Sequence, residues 1–229
     1  MPRTRDEAEH EATKAHIKAI ARAQMVAAGT AGLSLRAIAR EMDMTAPALY
    51  RYFPKLDDLI TALIVDAFNG VADALETADA GAADPTDYEG RLTAVCLAYR
   101  KYALDYPVDF QLIYGNPIPG YNAPREITVP AATRVHVAMT RVLVEADAAG
   151  RFHHPFTGKL AFAPNALANT VLIAQQFGVK PELIATAMVL WTSIHSVVTL
   201  DLDGHIESAI SADALYDMTI RLFLERFIS

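Results

Sequence analysis

The sequence predicts an all-α protein. Apolar residues recur at steps of three and four along nearly the whole chain, no alternating apolar segment is long enough to demand a sheet, and Pro- or Gly-rich stretches interrupt the periodic runs at helix-length intervals. With 229 residues and 52% hydrophobic content, the chain can bury a sizeable core. A small domain over residues 1–58 and a larger one over 59–229 are expected.

The first helix is expected over Glu7 to Ala28, with Ile17, Ala21, Met25 and Ala28 inward and Gly29 ending it. Ser34 and Thr45 are good N-cap residues. Each opens a short helix, with Leu35, Ile38, Ala39 and Met42 as the apolar set of one and Ala46, Leu49 and Phe53 as that of the other. Between them lies Met42-Asp43-Met44, where a helix-turn-helix often carries Gly, and Asp tolerates the left-handed backbone such a turn requires. A long helix over Leu56 to Glu76 follows and is expected to join the two domains. After a loop at Ala78 to Asp87 come helices over Tyr88 to Leu104 and Pro107 to Tyr114. Pro117, Pro119, Gly120 and Pro124 make Gly115 to Val129 irregular, and a helix is expected from Pro130 to Ala149. A further helix is expected within Lys159 to Phe177.

Near the C-terminus, Ile184, Met188, Trp191, His195, Val198 and Leu202 form one stripe, with Leu183, Ala187, Leu190, Ile194 and Val197 beside it. So broad an apolar surface needs burial on two sides. The terminal helix adds Leu215, Tyr216, Thr219, Ile220, Leu222, Phe223 and Phe227, with Asp217, Arg221 and Glu225 as a charged outer row. Pairing of both helices with their copies in a second chain would give a four-helix homodimer interface, which a charge at Phe223 is expected to split.

Chemistry concentrates in the second helix of the short pair. Its apolar residues are used for packing, leaving Thr45, Ala46, Pro47, Ala48, Tyr50 and Arg51 for the outside. Small side chains at its start let the backbone approach base edges in a major groove, and Pro47 is tolerated there because a first-turn N–H has no intrahelical partner. Tyr50 and Lys55 supply a hydroxyl and a cation suited to phosphates.

The run Ile38-Ala39 through Thr45, then Leu49-Tyr50-Arg51-Tyr52-Phe53-Pro54-Lys55 and Leu59, resembles the DNA-binding domain of the TetR family of bacterial transcriptional regulators, with Ile20-Ala21 and Gly29 extending the match upstream. The resemblance implies an N-terminal three-helix helix-turn-helix domain followed by a larger helical ligand-binding and dimerisation domain. It makes Thr45 to Arg51 the recognition helix and Tyr50 and Lys55 phosphate contacts, and Ser34 and Arg36 complete the expected DNA-binding set. Trp191-x-x-x-His195, followed by Leu200 and Gly204, is similar to a C-terminal domain of one TetR subgroup named for a Trp, His and Gly signature, although Ser196 follows the histidine where that signature has Gly. Tyr99, Tyr102, Phe110, Tyr114, Met139, Trp191 and His195 are the candidate ligand residues, each equally readable as core.

Charge agrees locally. The whole chain carries a formal −7, yet residues 14–55 hold seven basic and two acidic side chains, against 11 and 19 over residues 59–229. DNA contact is therefore expected at one end only. Arg3 and Arg5 could follow a minor groove as an arm, though a disordered tail is the commoner explanation. Adjacent His153 and His154 lack further ligands at metal spacing, Cys96 reads as a buried inert thiol, and no cofactor is expected. No Gly-x-Ser-x-Gly elbow, phosphate-binding glycine loop or zinc pattern occurs, which disfavours an enzyme. With no signal-peptide h-region and no run of about 18 uninterrupted apolar residues, the chain is expected to be cytoplasmic and free of membrane. The reading is thus a homodimeric repressor that binds a palindromic double-stranded DNA operator and answers to an unidentified small-molecule effector. The alternative is a helical small-molecule-binding or hydrolytic protein whose first domain no longer reads DNA.

Overall fold

The computed structural model describes residues 5–153, 178–206 and 210–228, with nothing stated of the Arg5 side chain. Arg3, the helix expected within Lys159 to Phe177 and His154 lie outside the described residues. Among those described, the structure is helical: α1 (Arg5–Ala28), α2 (Leu35–Glu41), α3 (Ala46–Tyr50), α4 (Leu56–Ala80), α5 (Tyr88–Asp105), α6 (Pro107–Tyr114), α7 (Arg125–Ala148), α8 (Pro181–Leu202) and α9 (Ala212–Phe227). An isolated antiparallel bridge joins Phe152 and Ile228.

The chain divides into two compact units. One comprises Met1–Asn69 and Tyr106–Ala132, the other Gly70–Asp105 and Thr133–Ser229. The core of the first is built from Ile17, Ile20, Ala21 and Met25 of α1, Leu35, Ile38 and Ala39 of α2, Leu49 of α3, Phe53, and Leu59, Ile60, Leu63 and Ile64 of α4. Ala28, expected to face inward, is exposed because α1 ends there, and Ile20 joins Ile17, Ala21 and Met25 in the buried set. Leu112 of α6 completes this core, with Val108, Ile113, Ile118 and Tyr121 packed against it. Arg22 donates to Asp109 at 2.8 and 3.0 Å, Lys18 pairs with Asp66 at 2.6 Å, and the Thr61 and Tyr121 hydroxyls share a 2.8 Å hydrogen bond.

In the second unit, Asp79 of α4 is buried between two arginines. Arg91 of α5 donates to it at 2.7 and 3.3 Å, and Arg141 of α7 through Nε at 2.8 Å and through its terminal nitrogen. Arg91 also reaches Glu145 at 2.7 Å. Burial alone would raise the Asp79 carboxyl, but hydrogen bonds from Arg91 and then Arg141 outweigh it and hold the group below the usual carboxylate range. Arg100 ties α5 to Asp201 and Asp213 at 2.8 and 2.6 Å. Cys96 is enclosed in α5, where burial pushes its thiol up to about 12, and its carbonyl accepts the Tyr216 hydroxyl at 2.5 Å.

The loop after α6 is shorter than expected. Residues 125–129 are already helical, and Pro130 sits inside α7 rather than opening it. Pro124 supplies the start, its carbonyl accepting the N–H groups of Ile127 and Thr128, so Pro130 falls early in the helix and removes one donor without ending it. The two apolar stripes of α8 separate in the fold. Leu183, Ala187, Leu190, Ile194 and Val197 are buried, whereas in the other stripe Ile184, Trp191, His195 and Leu202 are half-buried, Met188 is exposed and only Val198 is fully buried.

Candidate nucleic-acid interface and the Trp191 cluster

The interface is assembled by two capped helices and one strained turn. Ser34 accepts from the Ala37 N–H at 3.4 Å and starts α2, and Thr45 accepts from the Ala48 N–H at 3.4 Å and starts α3. Between them Asp43 adopts φ 52° and is the one described non-glycine residue in left-handed space. Its N–H donates to the Arg40 carbonyl at 3.3 Å and the Met44 N–H to the Ala39 carbonyl at 2.8 Å, the paired bonds that close a helix C-terminus through a left-handed residue. Asp thus does the work of the glycine usual in such turns.

The expected recognition helix runs from Thr45 at its N-cap to Arg51 at its C-cap. Leu49 is fully buried beneath it, while Thr45, Pro47, Tyr50 and Arg51 are exposed and Ala46 and Ala48 half-exposed. Lys55 opens α4, where its backbone N–H donates to the Asp58 carboxylate at 2.9 Å and its side chain stays exposed.

The cations of this region are unengaged. Arg36, Arg40, Arg51 and Lys55 are exposed and form no ion pair, and of the other described lysines and arginines only Arg125 and Arg226 share that condition. Lys18, Arg22, Arg91, Arg100, Arg134 and Arg141, by contrast, are held by the protein's own carboxylates. Charges left unpaired over one short stretch are available to an external polyanion, and neutralising phosphates releases counterions. Arg40 was not among the expected contacts. Its position four residues after Arg36 on α2 puts both on one side of that helix, a spacing the sequence already contained.

The candidate ligand residues are drawn from both units. Phe110 and Tyr114 belong to the first unit, their rings 4.9 Å apart, and Tyr114 meets Phe68 edge-on at 6.0 Å. Tyr99, Tyr102, Met139, Trp191 and His195 belong to the second unit, the first three of them buried. Tyr102 packs so closely on Gly70 that a Cβ there would lie 2.7 Å from its hydroxyl. Trp191 stacks on His195 at 4.9 Å and meets His136 at 6.0 Å; the Tyr99 hydroxyl lies 2.8 Å from His195 Nδ1 and the Thr199 hydroxyl 3.4 Å from Nε2. His136 was missed by sequence reasoning, since only the fold brings α7 against α8 at this point.

Burial lowers the His195 titration below its ordinary range. A depressed folded-state value means that the unfolded chain takes up a proton first, so the stability contributed by neutral His195 is present above about pH 6.5 and lost as pH falls through the folded value. Because Trp191 is the only tryptophan, its fluorescence reports this group. A single titration with a midpoint below about 6.5 is expected, absent in His195→Phe and retained in His136→Gln. Persistence of the same titration in His195→Phe would refute the assignment.

Comparison with known proteins places these features in a wider set. Residues 17–63 match the family model described as bacterial regulatory proteins of the tetR family, and residues 92–223 match the tetracyclin repressor-like C-terminal domain. HTH-type transcriptional regulators of Mycobacterium bovis and Mycobacterium tuberculosis are 32% identical over 219 residues, covering 93% of this chain and 92% of theirs. The crystal structure of a candidate regulatory protein, SCO4313, superposes with a TM-score of 0.75 at 32% identity, covering 98% of this chain and 100% of that one.

Proposed function

From its membership in the TetR family of bacterial transcriptional regulators, to which this chain belongs, we infer that it is a cytoplasmic, ligand-responsive repressor that binds a palindromic operator as a homodimer. DNA binding and transcriptional regulation come with the family. The observation that carries the site assignment is the set of unpaired cations, Arg36, Arg40, Arg51 and Lys55, around the capped helix pair. Thr45, Ala46, Pro47 and Ala48 would face base edges, with Ser34 and Tyr50 at the phosphates beside them. Salt-dependent binding of the chain to its own upstream DNA, with Thr45 and Ala48 variants changing sequence preference and Lys55→Ala weakening all sequences alike, tests this reading.

Dimerisation is supported by an uncovered face on the last two described helices. Met188, Val189 and Leu200 of α8 are 39%, 45% and 43% exposed, and Met218 and Leu222 of α9 are 44% and 60% exposed. Thr192, Ser193 and Ser196 on the same face of α8 turn their hydroxyls back to their own helix, donating to carbonyls of the preceding turn. By length and composition α8 could also cross a membrane, with 39% of its apolar window buried. A second copy accounts for the same apolar surface, and two reading heads match a two-fold operator.

Phe223 is not on this face. It is 7% exposed and packs on Phe227 at 4.5 Å inside its own protomer, so a charge there would damage the fold rather than split a dimer. Leu222→Asp is the appropriate change. Sedimentation of the unaltered chain is expected to give a dimer at micromolar concentration and of Leu222→Asp a folded monomer; a monomeric unaltered chain would sink the assignment.

The effector is assigned to the cluster around Trp191 and His195, with the Tyr99 hydroxyl at the imidazole and His136 beside the indole. An apolar ligand with one or two hydrogen-bonding groups suits that inventory. It can release DNA only by its differential affinity for the two states of the protein. Trp191→Ala is expected to weaken the response to effector more than it weakens operator binding.

A further inference from the structure

We propose that the first turns of α1 belong to the DNA-reading head, with His10 acting as a positioning residue for the segment Tyr50 to Lys55 through its stack on Tyr52. The assignment rests on the DNA-binding reading given above.

The rings of His10 and Tyr52 lie 4.7 Å apart at an interplanar angle of 25°, a stacked pair between residues far apart in the chain. His10 is exposed, whereas Tyr52 is half-buried and packed against the core of the first unit. This is the place in the reading head that most needs external support. Helix α3 has only five residues, too few to be stable through its own hydrogen bonds, and the chain from Arg51 to Lys55 is not helical. Its local bonds are those of the Arg51 N–H to the Ala48 carbonyl at 3.4 Å, of the Tyr52 and Phe53 N–H groups to the Leu49 carbonyl at 2.9 and 3.2 Å, and of the Lys55 N–H to the Asp58 carboxylate at 2.9 Å. Leu49 and Phe53 anchor the segment from the core, and the His10 ring holds the tyrosine between them and the two terminal cations, Arg51 and Lys55.

Direct phosphate contact by this end of α1 is disfavoured by its charge. Residues 6–11 carry Asp6, Glu7, Glu9 and Glu11 and no lysine or arginine, and Lys14 lies 3.6 Å from Glu11. Such a surface is repelled by a polyanion. His10 therefore acts through Tyr52 and not on the DNA itself. It precedes residue 17, where the match to the tetR family model begins.

The test measures the affinity of the full chain for its upstream DNA and for a random-sequence duplex across a salt series. His10→Ala is expected to weaken both by about 3- to 10-fold, the range of a lost aromatic pair, while leaving the salt slope unchanged. His10→Phe keeps a ring and is expected to restore binding. In a Tyr52→Leu background, His10→Ala should have no further effect. Wild-type affinity in His10→Ala, full additivity with Tyr52→Leu, or a slope shallower by about one unit would each overturn the positioning role, the last because it would make His10 a phosphate contact. If the unaltered chain bound neither duplex in a salt-dependent way, the DNA-binding reading itself would fail and this inference with it.

Discussion

Replacing Arg36, Arg40, Arg51 and Lys55 together with Gln is expected to remove operator binding at physiological salt while leaving the fold intact. None of the four is ion-paired within the protein, so their loss strands no carboxylate. Each lost phosphate contact flattens the dependence of log affinity on log salt by about 0.9, so the set should cost about 3 to 4 units of slope per protomer. Lys55→Ala alone should remove about one unit and weaken operator and random DNA equally. Fluorescence anisotropy with labelled duplex across a salt series reads both quantities. An unchanged slope in the quadruple variant would show that these cations do not face phosphate. The comparison is sharpened by Arg22, whose guanidinium is committed to Asp109 and Asp66 and whose loss should act on stability instead.

The second large effect is expected at Asp79. Its side chain is 2% exposed and receives hydrogen bonds from Arg91, itself 7% exposed, and Arg141. Asp79→Ala would leave the buried Arg91 guanidinium with Glu145 and the Pro85 carbonyl as its remaining partners, and breaking one side of a buried pair typically costs about 3–5 kcal/mol. Chemical denaturation should register that loss. The sign of the pH dependence follows from the depressed Asp79 carboxyl: its stabilisation is present above the usual carboxylate range and disappears as pH falls through the lower folded value. Denaturation profiles of Asp79→Ala and the unaltered chain are thus expected to converge in acid. A loss below about 1 kcal/mol would mean that water replaces the carboxylate at this site.

By itself, the sequence determined the pair of short capped helices and the turn between them. Caps at Ser34 and Thr45, the three-and-four spacing of Leu35, Ile38 and Ala39, and the Tyr50 to Lys55 run are local signals, because capping and helical periodicity act within a turn or two of chain. Asp43 in the turn was readable for the same reason, since tolerance of left-handed backbone is a property of one residue. Tertiary structure alone decided which polar groups meet and which apolar faces remain bare. That Leu112 and Tyr121 pack with α1 and α4, that Asp79 is shared by two arginines, that His10 stacks on Tyr52, and that Phe223 turns inward while Leu222 stays outside are relations between distant segments. A buried stripe and an exposed one have the same spacing in sequence. Only the packing of neighbouring helices, which removes one from water and leaves the other in it, distinguishes a core from an uncovered surface.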